Sequence, residues 1–246
     1  MAGKPKTYYP IMLALQEKPC LVVGGGQVAE RKVGALLEAG AHVTVVSPQF
    51  TPQLEAWAAQ GVIAALPSRY APGLPALSEA RLVFAATDDA SVNAAVRAEA
   101  EALGKLVNAA DDAAASGFIV PAAVRRGRLT LAVSTAGASP AVAAMVRRQL
   151  EETFGPEYGP YLELLHELRL AVQGAVPDSG VRQELFRAML GWDLLPLLRV
   201  AEQTARDELQ NELQNELLRR VKADPTAEGI RAAGEWLRLK GAETGL

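Results

Sequence analysis

The chain has 246 residues, half of them apolar, with 25 basic and 28 acidic side chains and a formal net charge of −3. That length buries a substantial core in one large or two small domains, and the mildly acidic balance argues against a nucleic-acid binder. Cys20 is the only cysteine and fits a reducing cytoplasm; with only His42 and His166 beside it, no His/Cys metal cluster forms within one chain.

Residues 1–18 form a polar lead-in, in which Tyr8-Tyr9-Pro10-Ile11-Met12-Leu13 is expected to pack as an extra edge segment. No apolar run reaches membrane-spanning length, and no signal-peptide core precedes the first strand, so neither a membrane nor export is expected. Cys20-Leu-Val-Val23 reads as a buried strand, and Gly24-Gly25-Gly26 leads directly into a helix over 27–39 with Val28, Val33, Leu36 and Leu37 near helical period. Gly40 stops that helix and His42–Val46 is the second strand. Ser47-Pro48 breaks the chain. A short helix over 53–60 and a strand over 62–66 follow, then a loop over 68–77. Leu82-Val-Phe-Ala-Ala86 is apolar throughout, as parallel strands covered on both faces are. Thr87-Asp88-Asp89 opens a helix to about Leu103, Gly104 stops it, and a fifth strand begins at Leu106. This alternation predicts a Rossmann-like, doubly wound parallel α/β sheet.

The pattern then changes. Phe118–Val124 and Leu129–Val133 flank Arg125-Arg126-Gly127-Arg128 and predict a β-hairpin. Ser139-Pro140 opens a helix with serine as N-cap and proline at the first helical position. Helices follow to the end, punctuated at Gly155-Pro156, at 177–180 and at Asp224-Pro225. The expected division is a cofactor domain over 1–113, a hairpin-plus-helix region over 114–153 and a helical domain over 154–246. The duplicated Glu208-Leu-Gln-Asn/Glu212-Leu-Gln-Asn stacks leucines on one helix face, either as an elongated surface helix or as a partner-binding stripe.

The glycine stretch carries the most chemistry. Gly24 permits a tight turn, Gly26 lets the backbone approach a pyrophosphate, and Ala29 keeps helix and strand close. The first turn, with Gly25, Gln27 and Val28, offers unpaired N–H groups and a positive dipole end to phosphates. In such sheets ligands lie beyond the carboxyl ends of the strands. Three polar sets fall there: Ser47-Pro48-Gln49, Thr87-Asp88-Asp89, and Asn108 with Asp111-Asp112. The second strand ends without an acid for a ribose and without an arginine for a 2′-phosphate, which favours NAD over NADP. Asp111, just past the fifth strand, is placed either to move a proton or to cap a turn. Arg125, Arg126, Arg128, Arg147 and Arg148 are either solvated charge or a grip for an anionic substrate.

Val22-Val-Gly-Gly-Gly-Gln-Val-Ala-Glu-Arg-Lys32, Gly40-Ala-His-Val-Thr-Val-Val-Ser-Pro48, Ala85-Ala-Thr-Asp-Asp89 with Asn93, Val107-Asn-Ala-Ala-Asp-Asp112, Phe118-Ile-Val-Pro121 and Ala132-Val-Ser-Thr-Ala-Gly-Ala-Ser-Pro140 occur in that order. Together they resemble the precorrin-2 dehydrogenase/sirohydrochlorin ferrochelatase family, which is also the N-terminal module of siroheme synthase. The likeness covers roughly 10–168. It implies NAD-dependent oxidation of precorrin-2 to sirohydrochlorin on the route to siroheme, in a cytoplasmic homodimer joined through the hairpin region. Family members differ in whether they also insert Fe²⁺, a lyase activity. The resemblance makes Asp111 the acid/base residue and puts cofactor contacts at Gln27, Val28, Pro48 and Gln49. It puts Ser134, Thr135 and Gly137 in the active-site cleft, with Thr135 where some members carry a phosphorylated serine. The five arginines would then offset the carboxylates of precorrin-2. No methyltransferase domain is expected after residue 168, so precorrin-2 would come from a separate protein. The alternative reading is a non-catalytic NAD-sensing module, against which Asp111 and the 134–140 motif argue. A dehydrogenase for a small substrate would call for a conventional catalytic His or Lys.

Overall fold

The computed structural model describes residues 7–110, 115–203 and 207–243. The chain divides into two compact units, Met1–Val120 and Pro121–Leu246. The hairpin and the C-terminal helices therefore share one unit from Pro121 onward. No helix among the described residues is long and apolar enough to cross a membrane.

In the first unit, β1 (Pro19–Val23), β2 (His42–Val46), β3 (Ala64–Leu66), β4 (Leu82–Ala85) and β5 (Leu106–Ala109) form a parallel sheet in the order β3-β2-β1-β4-β5. Chain direction across the sheet reverses between β1 and β4, and that switch point is where such sheets hold ligands. Side chains alternate across the pleat. Cys20, Val22, Val45 and Phe84 face α1 (Gln27–Glu38) and α2 (Pro52–Ala59). Leu21, Val23, Val83 and Val107 face α3 (Pro75–Glu79) and α4 (Ala90–Ala102). Burial on both faces explains why these strands carry almost no polar residue.

The second unit opens with the antiparallel hairpin β6 (Ala122–Arg126) and β7 (Leu129–Val133). Then come α5 (Pro140–Thr153), α6 (Tyr158–Ala175), α7 (Ser179–Leu190), α8 (Leu194–Gln203), α9 (Asp207–Ala223) and α10 (Ala227–Glu243). A separate core joins α6 to α10, with Leu164, Leu168, Leu198, Leu213 and Leu217 fully buried. Of the stacked leucines of the duplication, Leu213 is in this core and half-buried Leu209 packs against it, so they face the bundle rather than forming a surface helix or a partner-binding stripe.

Four further expectations are corrected. The segment 8–13 pairs with no strand, and Tyr9, Ile11 and Met12 are exposed. The loop over 68–77 ends early, because Pro75 starts α3 at its first position and Leu77 is buried under the sheet. The third strand begins at Ala64 rather than Val62, since Gly61 adopts φ 70° and the Val62 amide is spent on Trp57 O in a turn. The first hairpin strand begins at Ala122 rather than Phe118. Phe118 packs edge-on to Phe84 at 5.4 Å and its carbonyl accepts from Asn108 at 2.9 Å, which holds it in the first unit.

Candidate functional site

The glycine turn sits at the carboxyl end of β1, at the switch point. Its three glycines have different surroundings. Gly24 has φ 123°, and a Cβ there would lie 2.2 Å from Ala86 O. A Cβ on Gly25 would lie 1.9 Å from Gln49 O and 2.7 Å from Ser47 Oγ. Gly26, the N-cap of α1, has extended backbone, and a Cβ there would meet nothing within 4 Å. Gly24 and Gly25 therefore stitch the turn to the neighbouring strand ends, and Gly26 faces open space. The Gly24 amide donates to Val46 O, and the Thr51 amide donates to Gly25 O, both at 2.9 Å. The first intrahelical bond of α1 runs from the Glu30 amide to Gly26 O, so the amides of Gln27, Val28 and Ala29 have no acceptor within the helix. A donor set at a helix N-terminus beneath an open glycine fits the pyrophosphate of a dinucleotide.

The other strand ends complete the rim. Ser47 is buried and its Oγ accepts from the Gln49 amide at 3.4 Å; Pro48 and Gln49 are exposed. After β4, the buried side chain of Asn93 holds the loop. Its Oδ1 accepts from the Thr87 amide at 3.1 Å and from Thr87 Oγ1 at 2.8 Å, and its Nδ2 donates to Thr87 O at 3.0 Å. Asp89 caps α4, accepting from the Ser91 amide at 2.8 Å and from Ser91 Oγ at 2.6 Å. These bonds, the Ser91 hydroxyl first, hold its carboxyl below the usual range. The cap is accordingly intact at neutral pH and is lost only as the pH falls through that depressed value. Asp88 is exposed. The sequence marks Asn93 only as a companion of the Ala85–Asp89 motif, with no role; the role is to bring a helix side chain back over the Thr-Asp-Asp loop. Asn93→Ala leaves the Thr87 amide and carbonyl without these partners in a half-buried place. The expected loss is about 1–3 kcal/mol, read as a lower urea midpoint at unchanged slope.

Beyond β5, Ser116 Oγ accepts from the Ala109 amide at 2.9 Å and donates to Ala109 O at 3.2 Å. Asp111 and Asp112 lie outside the described residues. Among the described residues no cluster of three or more His, Cys, Asp or Glu side chains gathers as a metal site.

The remaining candidates are in the second unit. Thr135 Oγ1 donates to Ser139 O at 3.1 Å and accepts from the Ser139 amide at 3.2 Å. Ser134 Oγ accepts from the Ala136 amide at 3.1 Å. With Gly137 at φ 86°, these bonds shape the turn that delivers Ser139, whose Oγ caps α5 by accepting from Val142 N at 3.2 Å. The arginines divide. Arg126 Nε donates to Phe154 O at 3.1 Å, tying the hairpin to the end of α5. Arg128 forms a two-pronged pair with Glu163 of α6 at 2.6 and 3.0 Å. Arg147 pairs with Glu151 one turn along α5. Arg125 and Arg148 are exposed.

Residues 11–122 match the family described as "Putative NAD(P)-binding", and 126–153 match "Sirohaem biosynthesis protein central". A siroheme synthase of Chromobacterium violaceum is 42% identical over 204 residues, covering 82% of this chain and 43% of that protein. One from Edwardsiella ictaluri is 39% identical over 188 residues, covering 76% of this chain and 40% of that protein. This chain thus spans less than half the length of these relatives. The solved structure of SirC, precorrin-2 dehydrogenase, is similar with a TM-score of 0.67 at 29% identity, over 83% of this chain and 100% of SirC. The cofactor turn, the strand order and the two consecutive segments agree with these likenesses: an NAD(P)-binding segment is followed by one matching the central part of sirohaem biosynthesis proteins, in a chain similar to precorrin-2 dehydrogenase and to siroheme synthases.

Proposed function

We propose that this chain oxidises precorrin-2 to sirohydrochlorin with NAD, in the cytoplasm, as a step in making siroheme. The observation that carries the reading is the open Gly26 at the head of α1, at the switch point of the sheet, in a chain similar to the whole of SirC. The α1 amides hold the pyrophosphate, and the loops at Ser47-Pro48-Gln49 and Thr87-Asp88 flank the two halves of the dinucleotide. NAD, when bound, supplies the hydride acceptor. Precorrin-2 loses two hydrogens, one with its electron pair and one as a proton. Asp111 takes the proton, and the protein's further contribution is orientation and electrostatics.

The substrate carries many carboxylates. Exposed Arg148 is offered to them first; Arg126, Arg128 and Arg147 hold protein acceptors that an arriving carboxylate would have to displace, and Arg125 stands beside them on the hairpin. Ser134, Thr135 and Gly137, which shape the turn before α5, are offered to the substrate as polar contacts. A homodimer through the 114–153 region is supported by α5, which buries none of its residues and leaves Val142 and Met145 exposed.

The test is anaerobic incubation of the protein with precorrin-2 and NAD, with and without Fe²⁺. Stoichiometric NADH and the sirohydrochlorin spectrum are expected without iron. Absence of both overturns the dehydrogenase reading. Conversion of the product spectrum to siroheme in the Fe²⁺ arm, faster than in a protein-free control, assigns iron insertion as a second activity.

A further inference from the structure

Lys32 is the sixth residue of α1 and is half-buried. Its Nζ lies 5.7 Å from the centroid of the Phe84 ring on β4. That ring is held from two sides. Phe118 meets it edge-on at 81°. Asn108, the register partner of Phe84 on β5, fixes the Phe118 carbonyl. Register partners on adjacent parallel strands point to the same face, so Lys32, Phe84, Asn108 and Phe118 form one cluster on the α1 side of the sheet. No carboxylate among the described residues compensates the ammonium. Burial, and secondarily the like charge of Arg31, pull its pKa down. A half-buried cation without a counter-ion is costly and gains most from an arriving anion.

Direction decides where that anion comes from. Helical side chains lean toward the helix N-terminus, and the N-terminus of α1 is at the carboxyl end of the sheet. Lys32 therefore reaches toward the ends of β4 and β5 from about 7.5 Å along the helix, at 1.5 Å per residue. The pyrophosphate is already served by the free amides of the first turn. We propose that Lys32 receives a side-chain carboxylate of the tetrapyrrole substrate and helps to set specificity for polycarboxylate macrocycles. The inference rests on the precorrin-2 reading above.

The test compares Lys32→Gln and Lys32→Arg with the unmodified protein, measuring kcat and the KM for precorrin-2 and for NAD separately. Lys32→Gln is expected to raise the KM for precorrin-2 about tenfold, the size of one partly buried charge contact. The KM for NAD is expected to stay within about twofold, and Lys32→Arg, which keeps the charge over the ring, to recover most of the loss. A loss of packing alone would lower folded protein without separating the two KM values. An unchanged KM for precorrin-2 in folded Lys32→Gln overturns the inference, and so does a rise confined to NAD. If the unmodified protein leaves precorrin-2 unoxidised, the dehydrogenase reading falls and takes this inference with it.

Discussion

Gly26→Asp is expected to weaken NAD binding about 100-fold while leaving the melting temperature unchanged or raised. The two effects separate because of what surrounds the residue. A Cβ at Gly26 meets nothing within 4 Å, so the fold has room for the side chain. Its extended backbone at the head of α1 is the conformation of a good aspartate N-cap. Aspartate there satisfies the amides that would otherwise meet the pyrophosphate and adds a like charge. At an effective dielectric near 20, two charges about 4 Å apart interact by about 4 kcal/mol, and salt leaves enough of that for a 100-fold change. Titration of NAD by calorimetry and a thermal melt on the same sample check both halves. Wild-type affinity in a folded Gly26→Asp protein would remove the glycine turn from the cofactor site. Gly25→Ala is the control in which stability falls too: its Cβ would lie 1.9 Å from a backbone oxygen of the next loop. It should lose stability by about 1–3 kcal/mol, and NAD affinity should fall with it.

Those two glycines also show how much was legible in the sequence. The turn, the second strand at His42–Val46 and the Ser139-Pro140 helix start could be read because their causes are local: a run of three glycines, β-branched alternation, a capping hydroxyl before a proline. What separates Gly25 from Gly26 is the carbonyl of Gln49, contributed by a later loop, and no local pattern records it. The hairpin boundary failed for the same reason. Phe118-Ile-Val has strand composition, yet its partners are Phe84 and Asn108, found only after the sheet is assembled. The arginines looked alike as a cluster; Glu163 and the Phe154 carbonyl, both distant in sequence, are the partners of Arg128 and Arg126, and no local pattern records them. The leucines of the duplication have helical spacing whether they face solvent or core, and only the other helices of the bundle decide for the core.

Asp111→Asn is expected to lower kcat for precorrin-2 oxidation by about 10²–10⁴-fold, the usual worth of a positioned acid/base group. NAD affinity and the melting temperature should stay near those of the unmodified protein. Asp111 itself lies outside the described residues, but both ends of its loop are anchored at the carboxyl edge of the sheet. The Ala110 amide donates to Ala85 O at 2.9 Å, and Ser116 Oγ bridges the backbone of Ala109. The anchored edge is that of β4 and β5, beside the switch point where the reacting end of the cofactor belongs. Asparagine keeps the size and hydrogen-bonding shape of the side chain and cannot accept the proton. A fall in kcat without a rise in KM marks a group used in the transition state rather than in binding. Asp112→Asn is measured alongside, because the two carboxylates are adjacent. Normal turnover in Asp111→Asn with loss in Asp112→Asn would move the role by one residue. Normal turnover in both would make this pair a structural cap, and proton removal would then need another group. If the protein also inserts iron, Asp111→Asn should slow that step too, since a metal enters the macrocycle only as its pyrrole N–H protons leave, and one base at the same face would serve both reactions.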